Sequence, residues 1–244
     1  MGWEALELWG RARVIERLSG GVRNDVRLVK LGDRRLVARL GDRSDEDLAW
    51  ETELAGSLAA SGLPVPELVP AIDGRPFVDG LVVMEIVKGR QPESHEDWRM
   101  VADYLERLHE LTRGWRQRPG WASSGDLVTM DVGTSVDLRT MPAEGRAKCR
   151  AAWSRLEGGE RVVVHGDPNA GNVRIDGDRV VLIDWDEARV DAAELDLVLP
   201  YNAAGLDAVQ LATASQAASA WEAAVCWLGE PDYARRRLAE VASA

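Results

Sequence analysis

Four polar residues are spaced in a way that could support chemistry. His165, Asp167 and Asn172 follow one short apolar stretch, and Asp184 ends the next one. Short apolar stretches of this kind indicate buried strands. We expect the two strands to pair, so that the loop after the first presents Asp167 and Asn172 and the second delivers Asp184 beside Asn172. The two predicted strands are 161–165 and 179–184.

The residue types in this group fit one kind of reaction. Amide and carboxylate oxygens from Asn172 and Asp184 suit Mg²⁺ held against a polyphosphate. Asp167 could accept a hydroxyl proton while the metal ion neutralises the phosphates. Phosphoryl transfer needs this combination of positioning and charge compensation, with little covalent work by the protein. We expect His165 to pack against the loop and orient it.

The same residues carry a family resemblance. The His-Gly-Asp motif ending at Asp167, with Asn172, and the Ile-Asp-Trp-Asp motif around Asp184 resemble the catalytic and metal motifs of the aminoglycoside phosphotransferase family. The resemblance implies a protein-kinase-like fold and an enzyme that uses ATP and Mg²⁺ to phosphorylate a hydroxyl of a small molecule. It also implies that Asp167 is catalytic, that Asn172 and Asp184 bind the metal, and that Asp196 supports the catalytic loop.

The resemblance further implies nucleotide-binding residues in the first ninety positions. Ser-Gly-Gly followed by Asn24 is similar to the turn of the family that approaches the phosphates. Arg39 stands on the third strand where the family often has lysine, and arginine can also bind phosphate. The residues implied to bind the nucleotide are Gly20, Gly21, Asn24, Val37, Arg39, Glu51, Met84, Glu85 and Ile86.

Two of these assignments rest on position in the predicted elements. Strand alternation places Val37 and Arg39 on one face, and Glu51 on the next helix is the best partner for Arg39. Glu53 is the alternative, but it lies about 200° around the helix from Glu51. The stretch from Met84 to Ile86 resembles the hinge whose backbone hydrogen-bonds adenine.

The elements that must position these residues change in character along the chain. The first part alternates and turns like an antiparallel meander with one helix, and the second part is mostly helical. We therefore expect an α+β fold with a small antiparallel-sheet lobe and a larger, mostly helical lobe. The predicted strands of the first part are 13–18, 26–29, 36–40, 66–72 and 81–87, and its helix is 45–60. The later helices are 96–111, 143–156 and 206 to the end, the last of these interrupted at 229–231. The predicted domains are a nucleotide-binding lobe, 1–88, and a catalytic and substrate-binding lobe, 89–244.

The composition narrows the function classes. The chain of 244 residues has 41 acidic and 30 basic side chains, a formal charge of −11, which argues against nucleic-acid binding. With short apolar runs, no leader-like start and two widely spaced cysteines, we expect a cytoplasmic protein without membrane contact. An acidic cluster after the metal motif suggests a cationic small-molecule acceptor. Its members are Asp186, Glu187, Asp191 and Glu194.

Several functions remain open from the sequence. The acceptor could be a cationic antibiotic such as an aminoglycoside, which would make the protein a resistance enzyme, or an endogenous amino-sugar, sugar or amino alcohol. The chain could also be a catalytically idle kinase-like module that binds nucleotide or a protein. A protein kinase is disfavoured because Ala-Pro-Glu does not follow Asp184, and a P-loop enzyme is excluded for lack of G-x-x-x-x-G-K.

Overall fold

The structure is a computed structural model that describes residues 2–18, 24–133, 135–156 and 159–242. Its strands are β1 (Arg13–Arg17), β2 (Asp25–Leu31), β3 (Arg34–Leu40), β4 (Phe77–Val78), β5 (Leu81–Glu85), β6 (Val132–Gly133), β7 (Val136–Asp137), β8 (Arg161–Val164), β9 (Val173–Asp176), β10 (Arg179–Leu182) and β11 (Arg189–Ala192). Its α-helices are α1 (Asp45–Ala60), α2 (His95–Leu111), α3 (Ala143–Trp153), α4 (Ala208–Val225) and α5 (Pro231–Glu240). Among the described residues, none of the helices is both long and apolar enough to span a bilayer.

The chain divides into two compact units, and the first is discontinuous in sequence. The units are Met1–Arg90 with Arg174–Ile183, and Gln91–Val173 with Asp184–Ala244. The predicted domains, 1–88 and 89–244, differ from these units mainly at the inserted segment. The difference arises because Arg90 and Ile175 form an antiparallel bridge. Arg90 N donates to Ile175 O over 3.0 Å, and Ile175 N donates to Arg90 O over 2.8 Å.

The first unit contains a five-stranded sheet in the order β1-β2-β3-β5-β4, with antiparallel neighbours. Alternation along β3 separates its two faces. Leu36 and Ala38 are fully buried in the apolar core of the unit. Val37 and Arg39 therefore point to the opposite face, as the sequence predicted.

Helix α1 has the predicted bounds. Ser44 caps its first turn, because the Ser44 side chain accepts a hydrogen bond from Asp47 N at 3.2 Å. The helix buries a leucine at each of the core-facing turns, including Leu54 and Leu58. It ends before Gly62, which has a φ of +80° that glycine adopts without strain.

The predicted strand at 66–72 is wrong. In this segment the structure has only a bridge between Leu68 and Met84. Pro66 and Pro70 lack the N–H groups that a strand ladder requires, so the segment cannot pair along its whole length.

The predicted pairing of the two motif strands is also wrong. β8 pairs with β11, whereas β9 and β10 pair with each other. The reason is the short Gly177-Asp178 turn between β9 and β10, where Gly177 has a φ of +62°. A two-residue turn of this kind favours a local hairpin over a distant partner.

The second unit packs α3 and α4 around a core of aromatic and small residues. Trp153 and Trp221 lie with their ring centroids 6.4 Å apart, and Ala217 and Ala220 are fully buried. Capping boxes start α2 at Ser94 and α4 at Asp207, which fixes where these helices begin. The unit thereby holds β8 and its following loop in place.

Candidate active site

The loop after β8 presents Asp167 to solvent and holds its carboxylate on both sides. Asn169 Nδ2 donates to Asp167 Oδ1 at 2.7 Å, and Asn172 Nδ2 donates to Asp167 Oδ2 at 3.0 Å. Asn172 Nδ2 also donates to the backbone oxygen of Asp167 at 3.0 Å. Both donors are uncharged amides, so these hydrogen bonds orient the Asp167 carboxylate without neutralising its charge. A carboxylate held in this way can accept a proton from a hydroxyl group.

Asp196 supports this loop from below. It is fully buried and accepts hydrogen bonds from His165 N at 2.7 Å and from Gly166 N at 2.9 Å. His109 Nε2 lies 3.1 Å from the same carboxylate. Burial alone raises the pKa of Asp196. The hydrogen bond from His109, the charges of His109 and His165, and the Gly166 N–H lower this pKa, and their sum places it below its usual value. Asp196 thus stays ionised and fixes the backbone of His165 and Gly166, the two residues that precede Asp167.

Glycine is required in the middle of the His-Gly-Asp motif. Gly166 has a φ of +86°, which side-chain-bearing residues rarely adopt. A Cβ at this position would lie 2.6 Å from Glu187 O and 3.0 Å from Arg189 Nη1. The loop can therefore approach the segment after Asp184 only because this residue lacks a side chain.

Asp184 is exposed and begins the other half of the site in a left-handed conformation, with a φ of 63°. A short 3-10 helix, Trp185–Glu187, follows it, and the Trp185 ring packs edge-on against His165 at 5.0 Å between centroids. Such backbone strain in a non-glycine residue often marks a functional position.

Arg118 holds this segment, and sequence reasoning missed it. The Arg118 side chain is fully buried. Its Nη1 lies 2.8 Å from Ala188 O and 2.9 Å from Asp186 O, both of which accept its protons. Arg118 comes from the irregular stretch before α3, seventy positions earlier than Ala188. A buried arginine in a loop gives no local pattern, so only the folded chain reveals its partners.

The oxygen ligands near Asp167 fit a divalent cation. Asn172 uses its amide nitrogen to bind Asp167, which leaves an amide oxygen as the ligand atom of that side chain. Asp184 adds an exposed carboxylate. The described residues contain no group of three His, Cys, Asp or Glu side chains that could hold a metal. A metal bound by Asn172 and Asp184 would therefore need further oxygens from water or phosphate, as Mg²⁺ commonly does.

In the first unit, Arg39 and Glu51 form an ion pair. Arg39 is buried, with 7% of its surface exposed, and its Nη2 donates to Glu51 Oε1. Arg43 was not predicted here, yet its Nη1 donates to Glu51 Oε2, so each carboxylate oxygen receives one guanidinium. Arg43 Nη1 also lies 3.9 Å from Asp47 Oδ1. The predicted pair of Arg39 and Glu51 is thus brought together, with a second arginine on the same glutamate.

The other residues predicted to bind nucleotide are placed as follows. Gly20 and Gly21 lie outside the described residues. The Asn24 side chain occupies the space that a Cβ on Gly41 would need. Val37 is half-buried on the same face of β3 as Arg39.

The predicted hinge lies at the end of β5. Met84 pairs with Val37 across the sheet, and Glu85 N donates to Glu67 O at 2.9 Å. The Glu85 carboxylate forms an ion pair with Arg34. Ile86 is 38% exposed. The backbone of this segment is thus anchored on one side by the sheet.

The predicted acidic cluster does not form a common surface. Asp191 is 1% exposed, and its Oδ2 accepts from Arg189 Nε at 2.8 Å. Ser124 also donates to Asp191, from Oγ at 2.6 Å. Asp191 therefore does not belong to an exposed acidic rim, because its charge is buried and compensated. The other three members, Asp186, Glu187 and Glu194, are half-buried.

A cavity of about 340 Å³ opens beside Asp167 within the second unit. Its walls, all formed by described residues, include none of the four residues of the acidic cluster. They combine aromatic and aliphatic side chains with two arginines and one glutamate. The lining residues are Trp98, Gly166, Asp167, Pro168, Asn169, Ala170, Arg189, Leu195, Val198, Pro200, Ala218, Trp221, Glu222 and Arg237. Its volume lies at the lower end of the range for small-molecule pockets.

Comparison with solved structures identifies the fold. The choline kinase LicA from Streptococcus pneumoniae is 17% identical, with 98% of this chain and 95% of that chain covered and a TM-score of 0.67. An apo thermostable mutant of aminoglycoside phosphotransferase APH(4)-Ia is 16% identical, with coverages of 97% and 95% and a TM-score of 0.66. Amicoumacin kinase hAmiN in complex with AMP-PNP, Ca²⁺ and Ami is 15% identical, with coverages of 98% and 87% and a TM-score of 0.60. The predicted α+β, protein-kinase-like fold is confirmed.

The family follows from the sequence as a whole. No curated protein matches the chain significantly in sequence. The model of the phosphotransferase enzyme family, APH, matches residues 14–238, which is most of the chain. The match includes the Asp167, Asn172 and Asp184 motifs and the Arg39–Glu51 pair. The chain therefore belongs to the phosphotransferase enzyme family and is a small-molecule phosphotransferase.

Proposed function

We propose that this chain transfers the γ-phosphate of ATP to a hydroxyl group of a small molecule. The observation that carries the proposal is the exposed Asp167 carboxylate, fixed by Asn169 and Asn172 at the wall of a cavity. An acceptor in this cavity would bring its hydroxyl group to a carboxylate that is already oriented. The structures of relatives with AMP-PNP or ADP support the use of a nucleotide by this chain.

The proposed reaction assigns a role to each of the three candidate site residues in the second unit. Asp167 orients the acceptor hydroxyl and takes its proton as the oxygen bonds to the γ-phosphorus. The bond from the γ-phosphorus to the β–γ bridging oxygen breaks, ADP leaves, and the proton passes from Asp167 to solvent. Asn172 and Asp184 would hold Mg²⁺, which neutralises charge on the phosphate oxygens when it is bound.

In the first unit, we assign Arg39 to the nucleotide phosphates. Glu51 orients Arg39, and Gly20, Gly21 and Asn24 belong to the turn that approaches the phosphates. Val37 and the backbone at the end of β5, from Met84 through Glu85 to Ile86, would contact the adenine. These assignments rest on the family resemblance and on the buried Arg39–Glu51 ion pair.

Two acceptor classes follow from the sequence and the relatives. One is a cationic antibiotic such as an aminoglycoside, which would make this protein a resistance enzyme acting in the cytoplasm. The other is an endogenous amino-sugar, sugar or amino alcohol. The relatives named above include both antibiotic kinases and a choline kinase, so both classes belong in the first assay. The idle-module alternative is disfavoured by the presence of Asp167, Asn172 and Asp184 in the sequence.

The test is transfer to an acceptor panel. The protein is incubated with MgATP and a set of aminoglycosides, macrolides, amino-sugars, sugars, amino alcohols and uncharged or anionic hydroxy compounds, and ADP release and acceptor mass are measured. We expect at least one acceptor to gain one phosphate group. Asp167→Asn should lower kcat about 10²- to 10⁴-fold and leave nucleotide affinity unchanged. Asp178→Asn, an exposed change at the β9–β10 turn, is the matched control.

Two outcomes would contradict the proposal. If no acceptor gains phosphate and Mg²⁺-dependent nucleotide binding is also absent, the phosphotransferase assignment of this site fails. If nucleotide binds without transfer to any acceptor, the idle module replaces it.

A further inference from the structure

The cavity beside Asp167 contains a cation that cannot move away or lose its charge. Arg189 is 1% exposed, and its Nε lies 2.8 Å from Asp191 Oδ2. Its guanidinium carbon lies 3.3 Å from the centroid of the Trp221 ring, in a stacked contact. A guanidinium stays protonated in proteins. The charge of Arg189 is therefore already paired with the buried Asp191 carboxylate, and neither group is left to pair with a positively charged ligand.

A second arginine in the wall is fixed in the same way. Arg237 Nη2 lies 3.1 Å from Glu222 Oε1, and Arg237 Nε lies 2.8 Å from Glu222 Oε2. Glu222 also accepts a hydrogen bond from the Tyr233 hydroxyl. Glu222 is thus already committed to partners within the protein and offers little to a ligand cation.

The charges of the cavity wall are already paired within the protein, except that of Asp167. Arg189 is paired with Asp191 and Arg237 with Glu222, whereas Asp167 is held by the neutral amides of Asn169 and Asn172. The rest of the wall is apolar or uncharged, with Trp98, Trp221 and several aliphatic side chains. Such a wall does not compensate the several positive charges of an aminoglycoside, because each buried charge needs its own partner.

The wall also contains a hydrogen-bond donor that needs an acceptor. Trp221 is 5% exposed, and its indole Nε1 is buried without a hydrogen-bond partner among the described residues. Arg237 Nε is close to Glu222 but not aligned with it for a hydrogen bond. Both residues line the cavity. Buried donors are nearly always paired, and an oxygen acceptor on a ligand in this cavity would supply the missing partner.

We propose that the acceptor is a hydroxyl compound without net positive charge. Its apolar body packs against Trp98 and Trp221, and a carbonyl or carboxylate oxygen accepts the Trp221 Nε1 proton. This inference rests on the proposed function, since it takes the cavity as the acceptor site. It replaces the expectation of a cationic acceptor, which depended on an acidic cluster of which Asp191 is buried and no member lines the cavity.

Three compounds with one skeleton test the charge preference. 3-Phenyllactate, 3-phenylpropane-1,2-diol and phenylalaninol share a phenylpropane body and a hydroxyl group but carry negative, no and positive charge. Their binding is measured without nucleotide by isothermal titration, with kanamycin as the polycation. We expect phenyllactate to bind most tightly and phenylalaninol about tenfold more weakly, with kanamycin weaker still.

Two matched tryptophan variants test the donor. Trp221→Phe removes the indole N–H and keeps an aromatic ring, so phenyllactate should bind about 5- to 10-fold more weakly and the diol within twofold of wild type. Trp227→Phe makes the same change outside the cavity, where Nε1 donates to Thr140 O at 3.0 Å, and should leave all affinities unchanged. Circular dichroism of both variants checks that they fold.

The outcomes separate this inference from the proposed function. It is overturned if phenylalaninol or kanamycin binds more tightly than phenyllactate, if both tryptophan variants behave alike, or if no compound binds at 10 mM, a high concentration for any specific site. The proposed function is judged by ADP release instead. The expected binding order without phosphate transfer would keep the ligand class and remove the enzymatic role.

Discussion

Replacing Asp196 by asparagine should loosen the loop that contains Asp167 without creating a cavity. The buried carboxylate accepts hydrogen bonds from His165 N, Gly166 N and the His109 ring. Asparagine has nearly the same shape, but its amide nitrogen donates and cannot accept. In Asp196→Asn, at least one backbone N–H of the loop therefore faces another donor and loses its partner.

The magnitude follows from the number and charge of these bonds. A hydrogen bond to a charged group contributes about 1.5–3 kcal/mol, and breaking a buried charged pair costs about 3–5 kcal/mol. We expect Asp196→Asn to lower the free energy of unfolding by about 3–5 kcal/mol at pH 7. In the folded enzyme, kcat should also fall, because Asp167 follows the loosened backbone.

The stabilisation by the Asp196 carboxylate should depend on pH and should be lost in acid. The pKa of Asp196 in the folded protein is below its unfolded value of about 3.9, so the carboxylate stabilises the fold above that pH. This stability is lost as the pH falls through the folded pKa. Since asparagine does not titrate, the stability difference between wild type and Asp196→Asn should shrink below about pH 4.

Urea unfolding at several pH values measures both effects. Tryptophan fluorescence suits the site, because the Trp185 ring packs against His165 at 5.0 Å. Asp178→Asn is the control and should stay within about 0.5 kcal/mol of wild type. A loss below about 1 kcal/mol at pH 7, or a difference that does not shrink in acid, would refute the role assigned to Asp196.

Three further predictions use other described contacts. Gly166 has a φ of +86°, and a Cβ there would lie 2.6 Å from Glu187 O, so Gly166→Ala should lower the free energy of unfolding by at least about 2 kcal/mol and lower kcat strongly. Gly177→Ala, at the open hairpin turn, is the control and should cost about 1 kcal/mol. Equal effects of the two variants on thermal unfolding and ADP release would show that the close approach at Gly166 is unimportant. Arg39→Ala should raise KM for ATP about tenfold, with Arg39→Lys partly restoring it and Arg43→Ala intermediate, because both arginines bind Glu51; an unchanged KM in Arg39→Ala would contradict the phosphate role. Burial raises the pKa of Cys149 to about 12, so at pH 8 a thiol reagent should label Cys226 and spare Cys149 until urea unfolds the chain; rapid labelling of both in the native protein would count against this packing.

The sequence predicts those parts of the fold that local pattern decides. The bounds of α1 follow from Ser44, the spacing of its leucines and Gly62, all close in the chain. The partner of β8 could not be predicted, because β11 contains Arg189 and Asp191 and so lacks the apolar pattern of a buried strand, and only tertiary packing pairs it with β8.

The candidate site divides in the same way. Asp167, Asn172 and Asp184 stand in a motif of fixed spacing, so type and position suffice to find them. The partners of Arg118 and of the buried Asp191 are groups about seventy residues away in the chain. Neither contact leaves a trace in local composition, so the sequence does not show that Asp191 is buried and lies apart from an exposed acidic surface.

The discontinuous first unit has a consequence for synthesis on the ribosome. Its bridge joins Arg90 to Ile175, which are 85 positions apart in the chain. The β9–β10 hairpin ends at Leu182, so at about 5–20 residues per second the first ninety residues wait about 5–18 s for it to be made. During that interval the nascent sheet lacks part of its own unit. Chaperone dependence of expression should therefore be set by this delay, and slowing translation between these two positions should lower the yield of folded enzyme.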